Sequence, residues 1–129
     1  DKGSDMVIKF RPDGRVDMVF GRKQEASDDG TEPHKRVNPP LPAVASRFRQ
    51  PTDVAFDPKG NVFISDGYIN SRVAKVNKEG FWVKSWGDRG SAPGQFNTVH
   101  GIAADAKGNI YVADRSNRRV ALDPFRWTV

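Results

Sequence analysis

Apolar and polar residues alternate along most of this chain, and no helical period holds over a useful window. Val54-Ala55-Phe56 predicts a short strand. Asp57-Pro58-Lys59-Gly60 predicts a turn, with Gly60 free to take a positive φ. Asn61 to Ser65 sets Val62 and Ile64 against Phe63, a second strand. Asp66 to Ser71 reads as a loop, Arg72 to Val76 as a third strand, Asn77 to Gly80 as a turn, and Phe81 to Trp86 as a fourth strand. Four short antiparallel strands joined by tight turns make one blade of a β-propeller.

The pattern then recurs. Residues 48–73 (FRQPTDVAFDPKGNVFISDGYINSRV) lie over residues 96–120 (FNTVHGIAADAKGNIYVADRSNRRV). Phe48 aligns with Phe96, Asp57 with Asp105, Gly60-Asn61 with Gly108-Asn109, and Asp66 with Asp114. The offset is 48 residues up to Asp66 and Asp114, and 47 afterwards, because the first copy carries one extra residue, Gly67. A period of roughly 40–50 residues predicts a repeat architecture whose units bury their faces only against one another. The second copy predicts strands at 101–104, 109–113 and 118–122, and a tail, 125–129, that is either a fourth strand or loose. At the N-terminus, Val7 to Phe10 and Val16 to Gly21 match Val73 to Gly87 at an offset of 66. The expected fold is all-β, a partial propeller of four-stranded antiparallel blades. Residues 6–21 form an outer half-blade, 22–50 a long loop, 51–87 a complete blade and 96–123 an incomplete one. The loop, rich in proline, aspartate and charge, predicts a surface crossing between blades.

Composition narrows the function classes. The 129 residues carry a net charge of +5, which raises the question of nucleic acid. The lysines and arginines are scattered singly, often beside an acid, and that argues against it. There is no cysteine, hence no disulfide framework and no thiolate metal site. No run approaches the roughly 18 apolar residues of a membrane helix, and no signal-peptide pattern is visible, so the sequence leaves the compartment open.

The pattern Pro-x-Asp-Val-Ala-x-Asp-x-x-Gly-Asn-Val-x-Ile-Ser-Asp-x-x-x-Asn-x-Arg-Val resembles the NHL repeat, whose members form β-propellers, mostly six-bladed. In such repeats Asp66, Asn70 and Arg72, with Asp114, Asn117 and Arg119, read as structural: a short carboxylate closes the loop on backbone N–H groups and pairs with the arginine. A narrower resemblance runs through Gln50 to Ala55, Ser65 to Arg72, Trp86-Gly87, Pro93 to Phe96 and Val112 to Arg115. These segments are similar to the peptidyl-α-hydroxyglycine α-amidating lyases. The resemblance implies a six-bladed propeller that cleaves a peptidyl-α-hydroxyglycine to a peptide amide and glyoxylate, using a zinc ion held by three histidines on the axis. It makes Tyr68 a catalytic tyrosine, His100 a zinc ligand and Arg115 an active-site arginine. Ile69 stands where animal members have a disulfide cysteine, and Thr98-Val99-His100 replaces a Val-Pro-His or Leu-Pro-His. His34, the other histidine, sits in the long loop with no reason to be a ligand.

Half-blades leave unpaired strand edges, so self-association is expected, as a dimer or a trimer. In one closure the inner half-blade 101–113 pairs with the outer half-blade 6–20 of a neighbour, and three chains complete a six-bladed ring. The position aligned with His100 in the complete blade is Thr52, so histidines would stand on alternate blades and three copies of His100 would meet on the axis, a geometry for zinc. Two functions follow: a zinc-dependent amidating-lyase-type enzyme, or a propeller scaffold that binds protein, peptide or glycan without chemistry.

Overall fold

The computed structural model describes residues 1–23, 36–123 and 126–128. Where the sequence alternates, strands form. They run β1 (Met6–Phe10), β2 (Val16–Gly21), β3 (Asp53–Phe56), β4 (Val62–Asp66), β5 (Arg72–Val76) and β6 (Trp82–Trp86). Two short bridging strands follow, β7 (Asp88–Arg89) and β8 (Gln95–Phe96), then β9 (Val99–Ala104), β10 (Ile110–Asp114), β11 (Arg119–Asp123) and β12 (Arg126–Thr128). The expected partial propeller is what forms: a two-stranded sheet β1-β2, a four-stranded blade β3-β4-β5-β6, and a four-stranded sheet β9-β10-β11-β12, with antiparallel pairing in each. The tail supplies the fourth strand, as Val120, Ala121 and Leu122 pair with Thr128, Trp127 and Arg126. The outer edge of β10 is therefore held by β11 and β12. A hybrid blade shared with a neighbour would have to displace them.

The N-terminal sheet copies the outer half of the complete blade in register as well as in sequence. Val7 pairs with Phe20 as Val73 pairs with Trp86, and Lys9 with Met18 as Lys75 with Lys84. Both ladders shift register at the same place, between Lys9 and Phe10 and between Lys75 and Val76. A bulge conserved between two copies is a built feature of the blade.

Every residue of β4 is buried, although its sequence alternates only weakly. The reason is that this blade is covered on both faces. On one face Val62, Ile64, Ala74 and Val76 pack with Phe20 and Phe48, against Val7, Met18 and Trp82. On the other, Ala55, Phe63 and Val73 pack with Phe96, Val99, Ile102, Ile110, Val112 and Ala121. Opposed residues of antiparallel neighbours share a face, so each strand of the blade feeds both cores by turns.

Of the expected long loop, residues 24–35, His34 among them, lie outside the described residues. Its described stretch 38–46 is exposed, as expected of a surface crossing, and only its end turns inward. Phe48 and Arg49 are buried, and Phe48 fills the first core just as its counterpart Phe96 fills the second.

Candidate functional site

Two buried carboxylates build the frame of the site. Asp66 ends β4, and its Oδ1 accepts the Arg49 amide N–H at 2.9 Å. Its Oδ2 accepts Asn70 Nδ2 at 2.7 Å and Arg72 Nε at 3.0 Å. Asp114, which ends β10, repeats the set: the Asn97 amide at 2.7 Å, Asn117 Nδ2 at 2.8 Å and Arg119 Nε at 2.9 Å. Each arginine then reaches back to the linker before its blade. Arg72 donates to the Val44 and Arg47 carbonyls, and Arg119 to those of Ser91, Ala92 and Gln95. Burial pushes the Asp66 carboxyl above the ordinary value, and Arg72, Asn70 and the Arg49 amide pull against it. These residues hold a loop and a linker together, and their donors and acceptors are consumed in doing so. The structural role expected for Asp66, Asn70, Arg72 and their counterparts is the one they have.

The loop after Asp66 is where chemistry becomes accessible. Gly67 lies against the next sheet so closely that a Cβ there would stand 1.6 Å from the Val99 carbonyl oxygen. Only a residue without a side chain fits. That contact carries the loop onto the start of β9, and Tyr68, the next residue, meets His100. Tyr68 Oη and His100 Nε2 are 2.9 Å apart, and the two rings sit edge to face with centroids 5.5 Å apart. His100 is exposed and Tyr68 half-buried, so the pair is open to solvent. Lys2 adds a cation over the tyrosine ring, its Nζ 4.9 Å from the centroid. The same junction is tied below the pair. Thr52 Oγ1 lies 2.8 Å from the Val99 carbonyl and 2.7 Å from Ser65 Oγ, and the Ile102 amide donates to Asp53 Oδ2 at 3.1 Å.

The structure thus brings two of the three expected site residues into contact. Arg115 reaches the same rim, in the loop after β10, where its amide donates to the Thr98 carbonyl at 3.1 Å. Its side chain is exposed and makes no hydrogen bond or ion pair among the described residues. In the sequence Gly67 is a length difference and Thr52 the counterpart of His100. That both pack on Val99, and that Lys2 caps the tyrosine, is not legible there. The signal for Gly67 was the shift of offset immediately before the tyrosine.

Zinc does not fit the described residues of a single chain. A catalytic zinc uses three protein ligands and an open position. Among the described residues no group of three His, Cys, Asp or Glu side chains is placed to hold a metal. His100 brings one imidazole, and its Nε2 is engaged with Tyr68.

Comparison with known proteins agrees with the repeat and the fold. The NHL repeat profile matches residues 48–76 and 96–121. The chain is 43% identical over 79 residues, 57% of its length, to the Xenopus laevis peptidyl-glycine alpha-amidating monooxygenase B, of which it covers 9%. It is 43% identical over 122 residues, 88% of its length, to the Mus musculus peptidyl-glycine alpha-amidating monooxygenase, of which it covers 11%. It is 36% identical over 78 residues to a probable peptidyl-alpha-hydroxyglycine alpha-amidating lyase of Caenorhabditis elegans, of which it covers 22%. The chain therefore spans about a tenth of the length of these monooxygenases.

Proposed function

We propose that this chain, which carries NHL repeats and folds as part of a propeller related to the amidating lyases and monooxygenases, contributes the tyrosine–histidine side of an amidating-lyase site. The observation that carries the reading is the Tyr68–His100 hydrogen bond across two neighbouring sheets. The reaction needs a base for the hydroxyl on the α-carbon. As that proton leaves, the oxygen lone pair forms the C=O of glyoxylate, the C–N bond breaks, and the amide nitrogen takes a proton. A phenol hydrogen-bonded to an imidazole can take up that proton as it hands its own to the imidazole, which becomes imidazolium and gives the proton back for the leaving nitrogen. Arg115, exposed on the same rim, is the group that would grip the substrate carboxylate. No step is drawn through a metal; zinc is expected only where further blades or further copies bring more imidazoles to His100.

The test is glyoxylate release from a peptidyl-α-hydroxyglycine, with and without added zinc. Release above the spontaneous rate is expected, falling about a hundredfold in Tyr68→Phe with the circular dichroism unchanged. Equal rates for both proteins would end the lyase reading. A second reading, a scaffold that binds a peptide without chemistry, is favoured by the single imidazole at the site. It is the one left standing by peptide binding without release.

A further inference from the structure

The linker ahead of the complete blade runs past the Tyr68 loop as a strap pinned at both ends. Arg89 Nη2 donates to the Val37 carbonyl at one end, and Arg72 Nη2 to the Val44 carbonyl, at 2.9 Å, at the other. Between the pins, Pro39, Pro40 and Pro42 fix three φ angles and stiffen the run. The chain leaving β6 makes the facing wall. At Gly87, with φ 104°, a Cβ would stand 2.8 Å from the Ser71 carbonyl oxygen and 2.4 Å from the Phe96 ring. A cleft of about 260 Å³ remains between these walls, lined among others by Leu41, Ile69, Ser71, Asp88 and Arg89. Ile69 is the residue after Tyr68. The volume is below the roughly 300–1,000 Å³ of a small-molecule pocket and suits one side chain with its peptide groups.

We infer that this cleft binds a peptide segment in which an apolar side chain stands beside an acidic one. The apolar side chain lies on Ile69 and Leu41, which is 38% exposed and is covered by the contact. The carboxylate meets Arg89 and Arg36. These two are neighbours, since Arg89 holds the carbonyl of the residue after Arg36, and neither makes an ion pair among the described residues. Burial, and after it the Arg89 charge, pull the Arg36 guanidinium below its ordinary value, and an anion between the two offsets that repulsion. Arg36 Nη2 also donates to Asn97 Oδ1 at 3.0 Å, and the Asn97 carbonyl accepts the Ser116 amide, so this charge stands on the rim that carries Arg115. Asp88, exposed, is the acid of the lining, so two cations face one anion. Ser71 adds a further group: it is 6% exposed, and its Oγ has no hydrogen-bond partner among the described residues. A buried hydroxyl left unpaired is costly, and a peptide group entering the cleft gives it a partner. Such binding does not depend on chemistry at the Tyr68–His100 pair.

A fluorescently labelled peptide Gly-Leu-Glu-Gly-Gly with an amidated end, added to the whole chain, tests this. Saturable binding by anisotropy is expected below about 1 mM, with the Leu41 and Ile69 methyl signals in an NMR spectrum shifting as it saturates. Affinity should fall at least fivefold when glutamine replaces the peptide's glutamate or serine its leucine, and likewise in Leu41→Asp and Arg36→Gln. Both substituted side chains are exposed, so the fold should persist; if a variant does not fold, the methyl shifts in the parent decide. Absence of saturable binding overturns the inference, and so does equal binding by either altered peptide or either folded variant. Binding that leaves the Leu41 and Ile69 signals in place overturns it too, because the peptide then sits elsewhere.

Discussion

A methyl group at position 67 would have to share space with the Val99 carbonyl, so the loop that carries Tyr68 would lift off β9. Forced overpacking of this kind costs about 1–3 kcal/mol. Gly67→Ala should therefore lower the thermal midpoint and, more tellingly, part Tyr68 from His100. The His100 ring signals in an NMR spectrum should move to those of Tyr68→Phe. Unchanged ring signals in a destabilised Gly67→Ala would show that the glycine serves only packing. At this scale the sequence was half legible. Tyr68, His100 and Arg115 stood out by their neighbours in a family pattern. The contact between the first two depends on a backbone approach, and the only trace that leaves in a sequence is a small residue and a change of spacing. Arg115 shows the converse: its position follows from the repeat, but an exposed side chain on a loop has no packing to fix where its charge points.

Within each element the repeated turns show how local chemistry sets the strands. Asp57 Oδ1 accepts the Lys59 and Asn61 amides, both at 2.9 Å, and Asn61 Nδ2 donates to Oδ2 at 2.7 Å. Asp105 repeats this with Lys107 and Asn109, and also accepts the Tyr111 hydroxyl at 3.1 Å. Gly60 and Gly108, at φ 82° and 83°, close the two turns. The Asn109 bond holds the Asp105 carboxyl below its ordinary value of 3.8, helped by the two amides and Tyr111. Burial raises Asp57, but the bonds from Asn61 and Lys59 outweigh it and the net direction is again down. A carboxyl with a lowered folded value stabilises the fold fully above the unfolded value and loses that contribution as pH falls through the folded one. Stability should thus drop as pH falls below about 3.8. Asp66, raised by burial, runs the other way and gives back stability between its raised value and 3.8. Urea midpoints at about pH 5 and pH 2.5 should differ less in Asp57→Asn/Asp105→Asn than in the parent. The same difference in both would clear the turn carboxyls of any part in acid unfolding. These turns were readable from Asp-x-x-Gly-Asn, because every partner lies within six residues. The bridging pair β7-β8 was not, since its parallel register, Asp88 to Gln95 and Arg89 to Phe96, answers to the linker that Arg119 clamps.

For the whole molecule the question is how the exposed outward faces of this chain's sheets behave in solution. The interior sheets show the rule: blade on blade, both cores are apolar and drawn from both partners. At the N-terminal end, Phe10, Val16 and Val19 are 57%, 53% and 51% exposed, on the outward side of a sheet whose other side is packed. At the opposite end the outward face of the third sheet carries Gly101, Ala103, Tyr111, Ala113, Val120 and Leu122, with Val120 38% exposed. Both ends expose apolar residues, so the unlike ends of two copies can cover each other. A contact of unlike ends is heterologous, and it closes into a ring or grows into a filament according to its rotation. The strand pairing of β10 with β11 means such a contact is made by faces, with each sheet kept whole. Light scattering should accordingly give a mass that rises with concentration over about 1–200 μM, and Phe10→Lys with Val19→Lys should return it to that of one chain by charging one partner of the contact. A parent that stays at the mass of one chain throughout that range would show that the two ends do not meet. A mass that instead levels off at three chains is the one a closed ring gives. A metal titration of that species then asks whether the copies of His100 converge: zinc bound at one per ring and lost in His100→Ala would place them on a common axis.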